Sequence, residues 1–194
     1  MNLKQLAQRF LVPQPIISLY YMVRFRCIIS LKAEIELSPM ITLGPGVTIS
    51  SFTKIKATNG PLSVEAHTGF GASCYISTQA GGISIGENCL FGPHVNIMSA
   101  NYDVSQIEQP FYLQGSISRG VRIGNNVWVG AGSTILDGTV LGDNTVVVAN
   151  SLVNRRYPPN VMLQGNPAKI ILRRSTGSPY GTERRVCTRG NGHS

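Results

Sequence analysis

Large apolar residues recur every six positions along most of this chain. Leu37, Leu43, Ile49 and Ile55 begin the series. Val64, Phe70 and Ile76 resume it, then Ile85, Phe91 and Ile97, and finally Ile123, Val129, Ile135, Leu141, Val147 and Val153. A helix repeats every 3.6 residues and a strand every two, so a strict six fits neither element alone. It fits a short strand followed by a sharp corner. Two residues before the large positions stand Val47, Thr53, Thr68, Cys74, Cys89, Val95, Val127, Ser133, Thr139, Thr145 and Ser151, all small or β-branched. A tight inward corner requires that. Glycines and asparagines near the corners (Gly44, Gly86, Asn88, Gly92, Gly124, Asn126, Gly142, Asn144) tolerate left-handed backbone angles. His67 shares their register and reads as a turn residue. Sixteen large positions in this phase predict an all-β protein, a parallel β-helix of hexapeptide repeats.

The interruptions carry further information. Three hexads make one triangular coil, and the steps Ile55 to Ile76 and Ile76 to Ile97 each exceed that length by three. The step from Ile97 to Ile135 exceeds it by 20. The inserts at 58–60, 79–82 and 98–120 therefore leave from one corner of successive coils, and after Val153 the chain exits through Arg155, Tyr157, Pro158 and Pro159. One edge of the prism is expected to carry every protrusion. Stacked loops on a rigid scaffold indicate a built site.

The flanks differ from the body. Residues 1–12 show helical spacing (Leu3, Leu6, Phe10), which Pro13 and Pro15 interrupt. Residues 16–31 are rich in Ile, Tyr, Val and Phe and read as a cap over the open end of the repeats. Cations beside these apolar residues add peripheral membrane contact through residues 1–33 as a second role. The stretch Ile16 to Ile29, broken by Arg24 and Arg26, is too short to span a bilayer. Near the other end, Gly165–Pro167 signals a turn. The expected division is a capping segment 1–36, a β-helix domain 37–172 with an extruded loop 98–120, and a basic, disordered tail 173–194.

Charge sharpens this division. The net charge is +8, with +5 in residues 1–33 and +4 in residues 173–194, which leaves −1 for residues 34–172. A near-neutral body with basic ends excludes a nucleic-acid groove. Cys74 and Cys89 occupy small corner positions, and no C-x-x-C or Cys/His ligand spacing appears, so neither a disulfide framework nor a metal site is expected. With no signal peptide at the start, a reducing cytoplasm is the expected compartment, with the membrane surface as an added location.

The run I-G-N-N-V-W-V-G-A-G-S-T-I-L-D-G-T-V-L-G-D-N-T-V-V-V-A-N-S-L-V, followed by P-P-N and G-N-P-A-K, resembles the hexapeptide-repeat acyltransferases. The resemblance covers roughly residues 37–172 and is nearest to the branch that O-acetylates sugars and surface polysaccharides. It implies a left-handed β-helix, usually a homotrimer. It also implies acetyl-coenzyme A as acyl donor in the cleft between subunits and a sugar or glycan acceptor. The loop S-A-N-Y-D-V-S-Q-I-E-Q-P-F-Y-L-Q-G resembles that branch at Asn101, Pro110, Gln114 and Gly115.

Where the family places a histidine base, this chain has Tyr102. A phenol near 10 does not suit proton abstraction at neutral pH. His94 is the other candidate base, and Asp103 is the carboxylate beside Tyr102. By the same resemblance the N–H of Ala131 donates to the thioester oxyanion, and Ala149, Arg155, Pro167 and Lys169 line the coenzyme. Asn101, Asp103, Gln114 and Trp128 face the acceptor. Two readings stay open: an acyltransferase, or a catalytically impaired homologue that binds ligand or serves in assembly.

Overall fold

The computed structural model describes residues 12–57, 59–175 and the backbone of 182–183. Short strands stack into three parallel ladders, which form the faces of a triangular prism. The first face begins with Ile28–Ile29, Thr48–Ile49, Gly69–Phe70 and Leu90–Phe91 and continues through Trp128–Val129, Val146–Val147 and Val161–Gly165. The second runs from Glu34–Ile35 through Lys54–Lys56, Tyr75–Ser77, Asn96–Met98 and Thr134–Ile135 to Leu152–Val153. The third runs from Ile41–Leu43 through Leu62–Val64, Ile83–Ile85, Val121–Ile123 and Val140–Leu141 to Arg156–Tyr157.

The ladder registers are those expected from the spacing. Ile55 pairs with Ile76, Ile76 with Ile97, Ile97 with Ile135 and Ile135 with Val153. Fifteen of the sixteen six-step positions are buried, Leu37 alone being half-buried. Full burial of such side chains contributes roughly 1.5–3 kcal/mol each. Phe70 and Phe91 stack in the centre with ring centroids 4.9 Å apart.

The small positions do more than leave room. Thr53 Oγ1 donates to Gly71 O at 2.8 Å, Thr68 Oγ1 to Gly86 O at 2.9 Å, and the thiols of Cys74 and Cys89 to Gly92 O and Gly124 O. Each buried donor thus satisfies a corner carbonyl of the following coil. Outside, Asn126 Nδ2 donates to Asn144 Oδ1 at 2.7 Å and Asn144 Nδ2 to Asn160 Oδ1 at 3.0 Å, a side-chain ladder along the corner between third and first faces. His67 stands lower in this column with φ +57°, as a turn residue.

Two expectations need correction. The ladder starts at Ile28, upstream of Leu37, because Ile35 and not Leu37 pairs with Ile55. The next corner carries two extra residues, so Leu37 keeps the phase of Leu43 by coincidence and packs at the edge of the core. The chain also does not leave the prism after Val153. Tyr157 pairs with Leu141 and Leu163 with Val147, each step falling two positions short of three hexads, a shortening that hides them from a six-residue count. Helix α1 (Gln14–Phe25) begins at the two prolines: Pro13 is its N-cap and Pro15 sits in its first turn, where a missing N–H costs nothing.

Helix α1 caps the first coil through Ile17, Ser18 and Tyr21, while the expected helical spacing at Leu3, Leu6 and Phe10 lies outside the described residues. At the other end Val161–Gly165 turns at Asn166–Pro167 into the antiparallel strand Ala168–Arg174. The backbone of Thr182–Glu183 pairs with Arg173–Arg174, within the tail expected to be disordered. Residues 176–181 and 184–194 lie outside the described residues.

Candidate active site

All inserts leave from the corner between the second and third faces and stack there. Thr78 Oγ1 donates to Gly60 O at 2.6 Å, joining the first two inserts. Ser118 Oγ accepts the Gly81 N–H at 2.8 Å and donates to Ser99 O at 2.6 Å, joining the second insert to both roots of the long loop. Asp137 Oδ1 accepts the N–H groups of Arg119 and Gly120 at 2.7 and 2.8 Å, and Gly138 N–H donates to Gly120 O at 2.8 Å. The coil above therefore holds the loop's exit. Sequence reading missed these anchors, although Asp137 stands two residues after core Ile135, in register with the inserts.

Above its roots the loop is a hairpin. Asn101 pairs with Ile117 and Tyr102 with Ser116, antiparallel. Gln114 braces the tip: its Oε1 accepts the Gln106 N–H at 3.0 Å and its Nε2 donates to Gln109 O at 2.6 Å. Tyr102 is 66% exposed, and Val104, Ile107, Phe111, Tyr112 and Leu113 are exposed along the same hairpin. Hydrogen bonds from Ser105 hold the Asp103 carboxyl below its ordinary value, so Asp103 is a weak base.

A second group gathers at the corner between the first and second faces. The pairing of Phe91, Val129 and Val147 sets Pro93, Ala131 and Ala149 one above another. A Cβ on Gly92 would lie 2.7 Å from Ala131 N, so the missing side chain allows this stacking. Among the described residues the Ala131 N–H meets no acceptor. His94, Gly132 and Asn150 form the adjacent column, all with positive φ. The turn Gly165–Ala168 lies over the same corner, tied by Gly165 N–H to Ser151 Oγ at 3.1 Å. Pro167 and Lys169 thereby join Ala131 and Ala149, while Tyr157 Oη donates to Ala168 O at 2.9 Å and fixes the turn from inside. Trp128 projects outward from the first face between Leu90 and Val146, 56% exposed.

Within one chain the candidates thus form two groups. His94, Ala131, Ala149, Pro167 and Lys169 share one corner, with Trp128 beside it. Asn101, Tyr102, Asp103 and Gln114 lie on the loop from the next corner, where exposed Arg155 also stands. The whole second face separates His94 from Tyr102. Among the described residues there is no cluster of three metal-ligating side chains, and no helix is long and apolar enough to cross a membrane.

Comparison with known proteins agrees with this architecture. Residues 120–155 match the family model for bacterial transferase hexapeptide (six repeats), and residues 61–92 that for the hexapeptide repeat of succinyl-transferase. A galactoside O-acetyltransferase of Escherichia coli is 36% identical over 90 residues, 46% of this chain and 43% of that protein. Matches of this kind span less than half the length of such curated relatives. The crystal structure of AntD, an N-acyltransferase from Bacillus cereus in complex with dTDP and 3-hydroxybutyryl-CoA, superposes with a TM-score of 0.69 at 21% identity, covering 80% of this chain and 87% of that one. A maltose O-acetyltransferase from Clostridium difficile 630 gives 0.55 at 24% identity, covering 76% and 66%. The fold is the left-handed parallel β-helix, built from hexapeptide repeats similar to those of the bacterial transferases.

Proposed function

We propose that this protein transfers an acetyl group from acetyl-coenzyme A to a hydroxyl of a sugar or glycan. The observation that carries the reading is the first-corner group. Ala131, Ala149 and the Pro167 turn stack on consecutive layers, with a cation at Lys169 and an N–H at Ala131 that meets no acceptor among the described residues. The galactoside O-acetyltransferase relative and the coenzyme-bound N-acyltransferase structure support the same chemistry. In this scheme the coenzyme arm runs along the corner past Ala149, with its phosphates toward Lys169, while Arg155 stands at the loop corner and does not join that group within one chain. The Ala131 N–H donates to the oxyanion that forms on the thioester carbonyl.

The acceptor hydroxyl oxygen attacks that carbonyl, the C–O bond forms and the C–S bond breaks. The proton passes to the departing thiolate by way of a base. A homotrimer brings the loop of one protomer, with Asn101, Asp103 and Gln114, to the first corner of the next, which closes the gap between the two groups. His94, already at that corner, is then the candidate base.

Titration calorimetry with acetyl-coenzyme A, paired with thiol release in the presence of a panel of sugars, tests the proposal. Binding and acceptor-dependent release are expected; absence of coenzyme binding overturns it. Tyr102 supports the second reading, an impaired homologue, whose signature is coenzyme binding without thiol release for any acceptor.

A further inference from the structure

Helix α1 is apolar on two sides. Ile17, Ser18 and Tyr21 face the first coil, where Tyr21 Oη accepts the Ser38 N–H at 3.0 Å. On the far side Ile16, Leu19, Tyr20 and Val23 follow the i, i+3, i+4, i+7 spacing of a single helical stripe. They are 58, 56, 43 and 75% exposed. A capping helix needs only one apolar face, and the other is ordinarily polar. Here it is not.

Three further observations surround this stripe. A groove of about 490 Å³ opens beside it, lined by Ile16, Tyr20 and Arg24 of the helix and by Leu37 and Pro39 of the first coil. Arg24 donates to Tyr20 Oη, so a guanidinium stands at the stripe's edge. Exposed Arg26, Ile28, Leu31 and Lys32 follow directly after the helix. Throughout residues 1–33 there are five cationic side chains and no acidic one.

We propose that the outward face of α1 docks this protein onto an anionic lipid bilayer. Ile16, Leu19, Tyr20 and Val23 enter the boundary between headgroups and acyl chains, with Arg24, Arg26 and Lys32 at headgroup level. Helices with an apolar stripe and cationic flanks lie in that plane. Charge selects this occupant over a second copy of the chain, because two such segments would meet with cations on both sides and no carboxylate between them. Each cation held near an anionic surface strengthens partition by roughly fivefold. The apolar groove with Arg24 at its rim suits an acyl chain below an anionic headgroup.

The test is co-sedimentation of the full chain with vesicles containing phosphatidylglycerol and with vesicles of phosphatidylcholine alone. Binding to the first kind is expected, weaker in high salt, with little to the second. The double variant Leu19→Glu, Val23→Glu should lose binding by at least about tenfold. Ser84→Glu, which adds a charge on the exposed third face, should keep it. Because both replaced side chains point outward, thermal melting should be unchanged. No binding to anionic vesicles overturns the proposal, as does equal binding by the double variant. A drop in oligomer mass in that variant, by light scattering, also overturns it and assigns the stripe to a second copy.

Discussion

Asp137 Oδ1 and the backbone N–H of Gly120 lie 2.8 Å apart, and the same oxygen accepts the N–H of Arg119 at 2.7 Å. One carboxylate thus closes the exit of the long loop 98–120 from the coil above it. Replacing it should free the loop without disturbing the ladders. Asp137→Ala should cost about 1–3 kcal/mol and raise hydrogen exchange at Arg119 and Gly120 while exchange in the core strands stays slow. Asp137→Asn, which keeps an acceptor oxygen, should show a smaller effect on both. Exchange mass spectrometry reads the difference.

Tyr102 decides between the two functional readings. Its backbone is held by pairing with Ser116, and its side chain is exposed, so replacement leaves the hairpin intact. Tyr102→His should raise acceptor-dependent thiol release by roughly 10²–10⁴-fold if an imidazole completes the site, the usual scale for a positioned general base. An unchanged rate in a well-folded variant counts against the loop as the acceptor side of the reaction.

His94 belongs to the other corner. Its side chain is exposed, and its left-handed backbone is one that asparagine also adopts, as Asn150 does in the same column. His94→Asn should therefore preserve stability to within about 0.5 kcal/mol while lowering turnover about 100-fold if His94 is the base. Turnover within a factor of two of the parent would remove it from the mechanism.

Gly130 permits the stacking of Ala149 over Ala131. A Cβ there would lie 2.8 Å from Ala149 Cα and 3.0 Å from Val147 O, both backbone atoms that cannot swing aside. Gly130→Ala should cost about 1–3 kcal/mol and weaken coenzyme binding in calorimetry. A variant with parent-like affinity would place the coenzyme away from this corner.

Burial pushes the thiols of Cys27, Cys74 and Cys89 up from their ordinary value. The unfolded chain releases these protons near pH ~8.5, whereas the native chain retains them. The native state then binds more protons, and stability falls as pH rises from about 8.5 toward the raised native values. Tyr21 and Tyr157, also raised by burial, add the same sign from about pH 10. Urea midpoints across this range should decline, and less steeply in a Cys74→Ala, Cys89→Ala variant.

Much of this was legible in the sequence because the side chains that fill the prism also set its period. Ile55, Ile76, Ile97 and Ile135 could be placed on one ladder from their spacing alone, and with them the corner from which each insert leaves. Reading failed where spacing departed from multiples of six. Leu37 matched the phase of Leu43 only because two corner residues had shifted Ile35 out of it, and Tyr157 and Leu163 follow a shortened coil. The pairing of Tyr102 with Ser116 had no signal, since a hairpin rising into solvent buries neither strand and so leaves no alternation. The separation of His94 from Tyr102 was, in contrast, available from register: His94 shares its position with Gly132 and Asn150.

Confining every insert to one corner separates two kinds of evolutionary freedom. Ile97 with Ile135 and Ile85 with Ile123 keep their pairings across the whole 98–120 loop as neatly as their neighbours do across the short inserts. The scaffold does not register how much chain is spliced in between. The prism works as a fixed chassis with one standard socket, into which inserts of different length fit without renegotiating the core. Exchanging 99–120 for a short link like 57–61 would remove the hairpin that carries Asn101, Tyr102 and Gln114 and leave the corner of Ala131 and Ala149 standing.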